Sequence, residues 1–275
     1  MTTTIRFLLI VLLSIVLACG SVPAQAQAPL PNSLAAVGDS LTRAVGSGQR
    51  YFADNTANSW ATGGNPEINS LALRLATRNP ALGGNVYNIA RFGARMSDLR
   101  AQISTVNAVG AEYVTVLAGG NDACALSEAA MTPVETFRQQ FSAAMAHLAE
   151  GSPQARVLVL SIPDPIQLWA LYRDNANAVA IWNLFDVCQA ALERPRSDAP
   201  EDVARRERVR QRVIDYNRQL AEVCAQYPRC RYDGGAVFNS TLDLADISPF
   251  DYFHLSARGQ ARLAETAWAA SGFGP

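Results

Sequence analysis

Ser40 stands in the string Gly38-Asp39-Ser40-Leu41-Thr42, and His254 lies three residues after Asp251 in Asp251-Tyr252-Phe253-His254. A serine hydroxyl is a poor nucleophile until a neighbouring base takes its proton. His254 is the base candidate. A carboxylate three residues earlier can accept the proton on the other ring nitrogen and fix the tautomer. The chain has 2 histidines, and the other, His147, falls inside a helical pattern and reads as structural. Attack on a carbonyl places negative charge on its oxygen, so the site needs preplaced N–H donors. The amides of Ser40 and Gly93 and the side chain of Asn121, in Gly119-Gly120-Asn121-Asp122, are the candidates for that oxyanion hole. Singly, each string is also an ordinary turn; Pro249-Phe250-Asp251 is a turn former and Gly-Gly-Asn-Asp a common loop. Together they supply nucleophile, base, orienting carboxylate and oxyanion donors, the parts of an acyl-transfer site for esters.

Such groups need a scaffold. Short apolar runs read as buried strands: Leu34-Ala35-Ala36-Val37, Val86-Tyr87-Asn88-Ile89, Tyr113 to Leu117, Arg156 to Ile162, and a weaker run at Cys230-Arg231-Tyr232. Helical spacing links Ile68, Leu71, Leu75 and Leu82, then Met96, Leu99, Ile103 and Val106. It recurs at Phe137, Phe141, Met145 and Leu148 after Pro133, and at Val209, Val213, Leu220 and Val223. Ser256 can cap a last helix through Leu263 and Trp268. Strand–helix alternation predicts an α/β fold with a parallel sheet covered on both faces. Functional groups in such sheets gather at the carboxyl ends of the strands. Ser40, Gly93 and Asn121 each fall just past a predicted strand end. A helix beginning soon after Ser40 would favour negative charge beside its hydroxyl.

The 275 residues carry a formal charge of −1, which gives no electrostatic case for nucleic acid or an anionic surface. All 23 basic residues are arginine, which excludes a Walker A loop and Schiff-base chemistry, since both need lysine. With no Cys-x-x-Cys or His-Glu-x-x-His string, neither metal nor cofactor is expected. At the N-terminus, Arg6 precedes the apolar run Phe7 to Leu13, which continues to Ala18 and is too short to span a bilayer. Residues 1–28 therefore read as a secretory signal, cleaved after Ala26 or Ala28. The alternative is lipoprotein processing at Cys19, where Val16-Leu17-Ala18-Cys19 is an imperfect lipobox. The exported chain keeps Cys124, Cys188, Cys224 and Cys230, enough for two disulfides in three possible pairings. Cys224 and Cys230 are close enough for a local loop, which leaves Cys124 with Cys188.

The four blocks, in this order and spacing, resemble the SGNH hydrolase (GDSL esterase/lipase) superfamily. Gly38 to Thr42 matches its first block, Gly119 to Asp122 the third, and Asp251-x-x-His254 the last. The second block, Asn88-Ile89-Ala90-Arg91-Phe92-Gly93-Ala94-Arg95, places bulky Arg91 and Phe92 before the glycine. That string, Ser59-Trp60-Ala61-Thr62-Gly63-Gly64 and Cys124 are similar to the phospholipase B-like branch. The resemblance implies one hydrolase domain over 29–275, folded as a flavodoxin-like three-layer α/β/α sandwich on a five-stranded parallel sheet. It implies Ser40 as nucleophile, His254 as base oriented by Asp251, and an oxyanion hole of Ser40, Gly93 and Asn121. The expected protein is a secreted monomer without a stable membrane span that cleaves small-molecule or lipid esters. The alternatives are a carbohydrate O-acetylesterase on the same fold and a non-catalytic secreted binding protein. Trp60, Phe92, Trp169, Tyr172, Trp182 and Phe185 are candidates for an acyl pocket, and the segment from Pro163 to Pro200 for a lid or pocket wall.

Overall fold

The computed structural model describes residues 29–274; the expected signal segment, 1–28, lies outside the described residues. In chain order the regular elements are β1 (Leu34–Gly38), α1 (Leu71–Arg78), β2 (Val86–Asn88), α2 (Leu99–Val109), β3 (Tyr113–Leu117) and the short α3 (Gly120–Ala123). There follow α4 (Val134–Gly151), β4 (Arg156–Val159), α5 (Pro165–Tyr172), α6 (Ala176–Leu184), α7 (Gln189–Leu192), α8 (Pro200–Cys224), β5 (Cys230–Tyr232) and α9 (Ala257–Ala270). The five strands pair in parallel in the order β2-β1-β3-β4-β5.

The sheet is buried on both faces because successive side chains point to opposite sides of a strand. Leu34 and Ala36 of β1 join one core with Leu75 of α1 and Leu263 of α9. Ala35 and Val37 join the other, with Ile103 of α2, Phe141 of α4 and Leu220 of α8. Three layers result, as the resemblance implied. With β2 on one side of β1 and β3 on the other, the strand order reverses at β1. A crevice opens at the carboxyl ends there, and Ser40 lies two residues past β1.

Several expected elements change length. The pattern from Ile68 to Leu82 becomes a helix only over Leu71–Arg78, because Ser70 caps its start and Pro80 ends its run. Ser256 caps α9 as expected, its hydroxyl accepting from the Gly259 amide at 3.1 Å. No helix follows Ser40; residues 40–46 form successive turns, with Val45 N–H donating to the Ser40 carbonyl at 3.0 Å. The segment from Pro163 to Pro200 contains α5, α6 and α7. Buried Arg205 of α8 fastens α7 by donating to the carbonyls of Gln189 (3.1 Å) and Ala190 (2.6 Å). Disulfides join Cys124 to Cys188 and Cys224 to Cys230. Among the described residues no helix is long and apolar enough to cross a membrane.

Candidate active site

The turn that presents Ser40 depends on a glycine. Gly38 has φ +141°, and a Cβ there would fall 1.9 Å from the Leu117 carbonyl oxygen of neighbouring β3. Only a residue without a side chain fits so close to the next strand. Gln102 of α2 grips this peptide from both sides. It accepts from Gly38 N–H at 2.8 Å and donates to the Gly38 carbonyl at 2.9 Å. The same carbonyl accepts from Arg91 N–H at 3.1 Å, which ties the second block to the first.

His254 Nε2 lies 3.0 Å from Ser40 Oγ, and its Nδ1 lies 2.9 Å from Asp251 Oδ2. When Nδ1–H donates to the carboxylate, Nε2 is left as acceptor for the serine hydroxyl. Asp251 is fully buried, and His254 and Ser40 are 4% and 6% exposed, so bulk water screens this chain of contacts little. The other oxygen, Asp251 Oδ1, accepts from the amides of Phe253 (3.0 Å) and His254 (2.9 Å). The three-residue spacing thus orients the ring and closes a turn. Tyr252 takes the left-handed conformation there, with φ +52°. Its carbonyl accepts from Trp182 Nε1 at 3.1 Å. Gly46 makes room behind the carboxylate; a Cβ there would lie 2.6 Å from Asp251 Oδ2.

Gly93 and Asn121 line the same cleft as Ser40 and His254. Asn121 Nδ2 donates to the Ala94 carbonyl at 2.9 Å. Because an amide has two N–H bonds, one remains for a substrate oxygen. Asp122, buried next to it, accepts from Met96 N–H at 2.8 Å and from the Thr132 hydroxyl at 2.7 Å, locking the second block to the third. Burial raises the Asp122 carboxyl above its usual range. Asp39 is buried beside Ser40. Desolvation lifts its carboxyl from 3.8 to about 7, against a hydrogen bond from Leu41 N–H and the nearby His254. His147 lies elsewhere, 3.0 Å from Ser104 Oγ between α2 and α4.

Two cavities meet at Ser40. The inner one is walled by apolar groups including Leu41, Ile162, Leu168, Leu192 and Val213, with Asp164 held by Arg210 at 2.8 Å. The outer one is open and lined by Phe52, Phe92, Phe185 and Phe253. The Cys124–Cys188 disulfide borders both. Of the six aromatics expected in an acyl pocket, Phe92 and Phe185 line the outer cavity and the other four do not. Trp60 is fully buried in the core. The guanidiniums of Arg173 and Arg206 lie over the Trp169 ring, at 4.7 and 4.5 Å. Tyr172 donates to the Leu244 carbonyl at 3.0 Å, and Trp182 supports the histidine turn. The segment from Pro163 to Pro200 forms a wall, with Pro165, Leu168, Cys188 and Leu192 facing the inner cavity. Gln102 and Gly46 escaped the sequence reading. Gln102 left a signal, since it sits beside Ile103 on the buried face set by Leu99 and Val106. Gly46 left none.

A parallel α/β sheet with a serine–histidine–carboxylate chain at its carboxyl edge defines a class of hydrolases. The sequence profile described as the GDSL-like Lipase/Acylhydrolase family matches residues 36–262, and the chain belongs to that family. It is accordingly a carboxylic ester hydrolase. Its fold is similar to a protein from Parabacteroides merdae assigned as a GDSL-like lipase, with TM-score 0.54 and 16% identity over 87% of this chain and 95% of that one. It is also similar to phospholipase A1 from Streptomyces albidoflavus NA297 (0.51; 20%; 86% and 98%). An extracellular lipase from Streptomyces rimosus is a third (0.50; 19%; 86% and 99%). No curated protein matches the sequence.

Proposed function

We propose that the protein is a secreted serine esterase that cleaves acyl esters of lipids or phospholipids through an acyl-enzyme. The observation that carries this reading is His254, 3.0 Å from Ser40 Oγ and 2.9 Å from Asp251, at the mouth of an apolar cavity. Ser40 Oγ attacks the carbonyl carbon as its proton passes to His254 Nε2. The Ser40 and Gly93 amides and Asn121 Nδ2 then face the oxyanion. Collapse breaks the bond to the alcohol, which leaves with the proton from His254. Water, activated by the same ring, attacks the acyl-serine, releases the carboxylic acid and restores Ser40. Asp251 stabilises the imidazolium at each step.

Apolar side chains around the inner cavity favour an acyl chain over a sugar, and burying each methylene of such a chain contributes about 0.8 kcal/mol. Two disulfides and the N-terminal apolar run support export. The test is the hydrolysis rate over a p-nitrophenyl ester series from acetate to palmitate, with Ser40→Ala as control. The expected result is a maximum at medium or long chains and no turnover by the folded Ser40→Ala protein. A sharp acetate preference would move the reading to sugar deacetylation. Activity surviving in Ser40→Ala would remove the nucleophile assignment. A fluorophosphonate that fails to label Ser40 would revive the non-catalytic binding protein.

A further inference from the structure

The surface around the outer cavity is more apolar than the substrate path alone requires. Tyr51 is 57% exposed, Phe92 53%, Leu126 70%, Leu184 72% and Phe185 50%. These five account for most of the large apolar side chains exposed among the described residues; Phe92 and Phe185 line the opening, and Tyr51, Leu126 and Leu184 each stand one or two residues from a residue that does. Tyr51 precedes Phe52 and Leu184 precedes Phe185; Phe52 and Phe185 meet edge to face across the cavity, with centroids 5.0 Å apart. Leu126 follows the cleft-lining Cys124 by two residues. A clustered apolar surface of this kind marks a contact site, whereas scattered exposed leucines do not. Charge gives a second and separate indication. Arg50 and Arg91 are exposed next to Tyr51 and Phe92 and join none of the ion pairs among the described residues, whereas Asp54 nearby is held by Arg43. Asp186 is the single acid among the residues lining the outer cavity.

We propose that this rim docks the enzyme on a phospholipid surface bearing anionic headgroups, with the apolar side chains entering the acyl boundary and Arg50 and Arg91 facing phosphates. The assignment rests on the lipid-ester reading of the site. A protein partner seated on the rim would cover the outer cavity that leads to Ser40. A lipid surface there delivers substrate into it. Arginines beside an apolar surface attract anionic leaflets within about a Debye length, so the attachment weakens with salt.

The experiment uses Ser40→Ala, which leaves the vesicles intact, in cosedimentation with phosphatidylcholine vesicles with and without phosphatidylglycerol. Binding to the mixed vesicles is expected, falling as salt rises. In the same background, Leu126→Ser with Leu184→Ser should weaken it roughly tenfold or more. Arg50→Gln with Arg91→Gln should lower it roughly tenfold and remove the preference for phosphatidylglycerol. Placed in the active protein, the leucine pair should leave the rate on a soluble short-chain ester unchanged, which also reports folding. No binding to mixed vesicles, binding indifferent to both pairs, or a dimer that the leucine pair dissolves would each overturn the docking surface. An active esterase that ignores vesicles refutes docking alone, whereas absent serine-dependent hydrolysis refutes the catalytic reading. The two failures are therefore separable.

Discussion

On the proposed mechanism, Asn121 serves geometry and chemistry together. One N–H is spent on the Ala94 carbonyl, so the other is fixed in direction before substrate arrives. Asn121→Ala should therefore lower kcat by roughly 10²–10³ with a smaller effect on KM, as loss of a preorganised oxyanion donor does; an unchanged kcat in steady-state assays would exclude the role. Asp39 makes a different prediction. Its carboxyl binds a proton more tightly when folded, near pH 7, than at its ordinary 3.8. The native state thus holds the extra proton between those values, and stability falls as pH rises through that window. Above it the buried charge is a standing cost. Asp39→Asn keeps an acceptor for Leu41 N–H without the charge. Urea unfolding at pH 5 and pH 8 should show the variant gaining on the wild type at the higher pH, and an identical difference at both would refute this account.

At the scale of elements, the site is built where three strand ends and one late turn meet, and the turn is the less tolerant partner. Gly46 lies against Asp251 with φ +74°, so Gly46→Ala adds a methyl where the carboxylate oxygen stands and strains the backbone. The displaced histidine should lower kcat by up to roughly 10²-fold, the cost of misplacing a reacting group by about 1 Å. The readout is kcat against KM on a soluble ester, with circular dichroism to confirm the fold. The five strands were legible because buried parallel strands are short continuous apolar runs, and Leu34 to Val37 and Tyr113 to Leu117 are of that kind. Helices α5 to α7 were not, since they are buried irregularly and lack one apolar stripe. The chain turns rather than coils after Ser40, with Ala44 and Gly46 in the left-handed region bending it back on itself. A contact set by local spacing, such as that of Asp251 with His254, could be read directly. Trp60, Trp169, Tyr172 and Trp182 could not be placed, because an aromatic in a sequence does not declare which surface it will face.

For the whole molecule, the two disulfides differ in kind. Cys124 and Cys188 close a long loop, 64 residues apart, and border both cavities, while Cys224 and Cys230 are 6 apart and end α8 at β5. By chain entropy the first should stabilise the fold by about 4 kcal/mol and the second by about 2 kcal/mol. Replacing each pair by alanine and measuring urea unfolding should reproduce that order. Loss of the first pair should also shift the preferred acyl length, since the wall carrying Leu192 is then held to the loop after Asn121 by hydrogen bonding, such as Ala190 N–H to the Ala125 carbonyl, without the covalent tie. Loss of the second should leave the ester profile intact. A chain-length profile that neither pair alters would separate the wall from substrate choice.

Ser40 and His254 are 214 residues apart, and that distance is also an interval of time. A ribosome makes Ser40 early and His254 almost last, after every strand of the sheet. Until the Asp251–His254 turn docks, Ser40 is an unactivated alcohol, no more reactive than any other serine. Contacts this far apart in sequence form slowly, because a long loop must close first. On the proposed reading of an exported esterase, the chain is inert toward esters while it is unfolded and becomes reactive only once its last turn has docked.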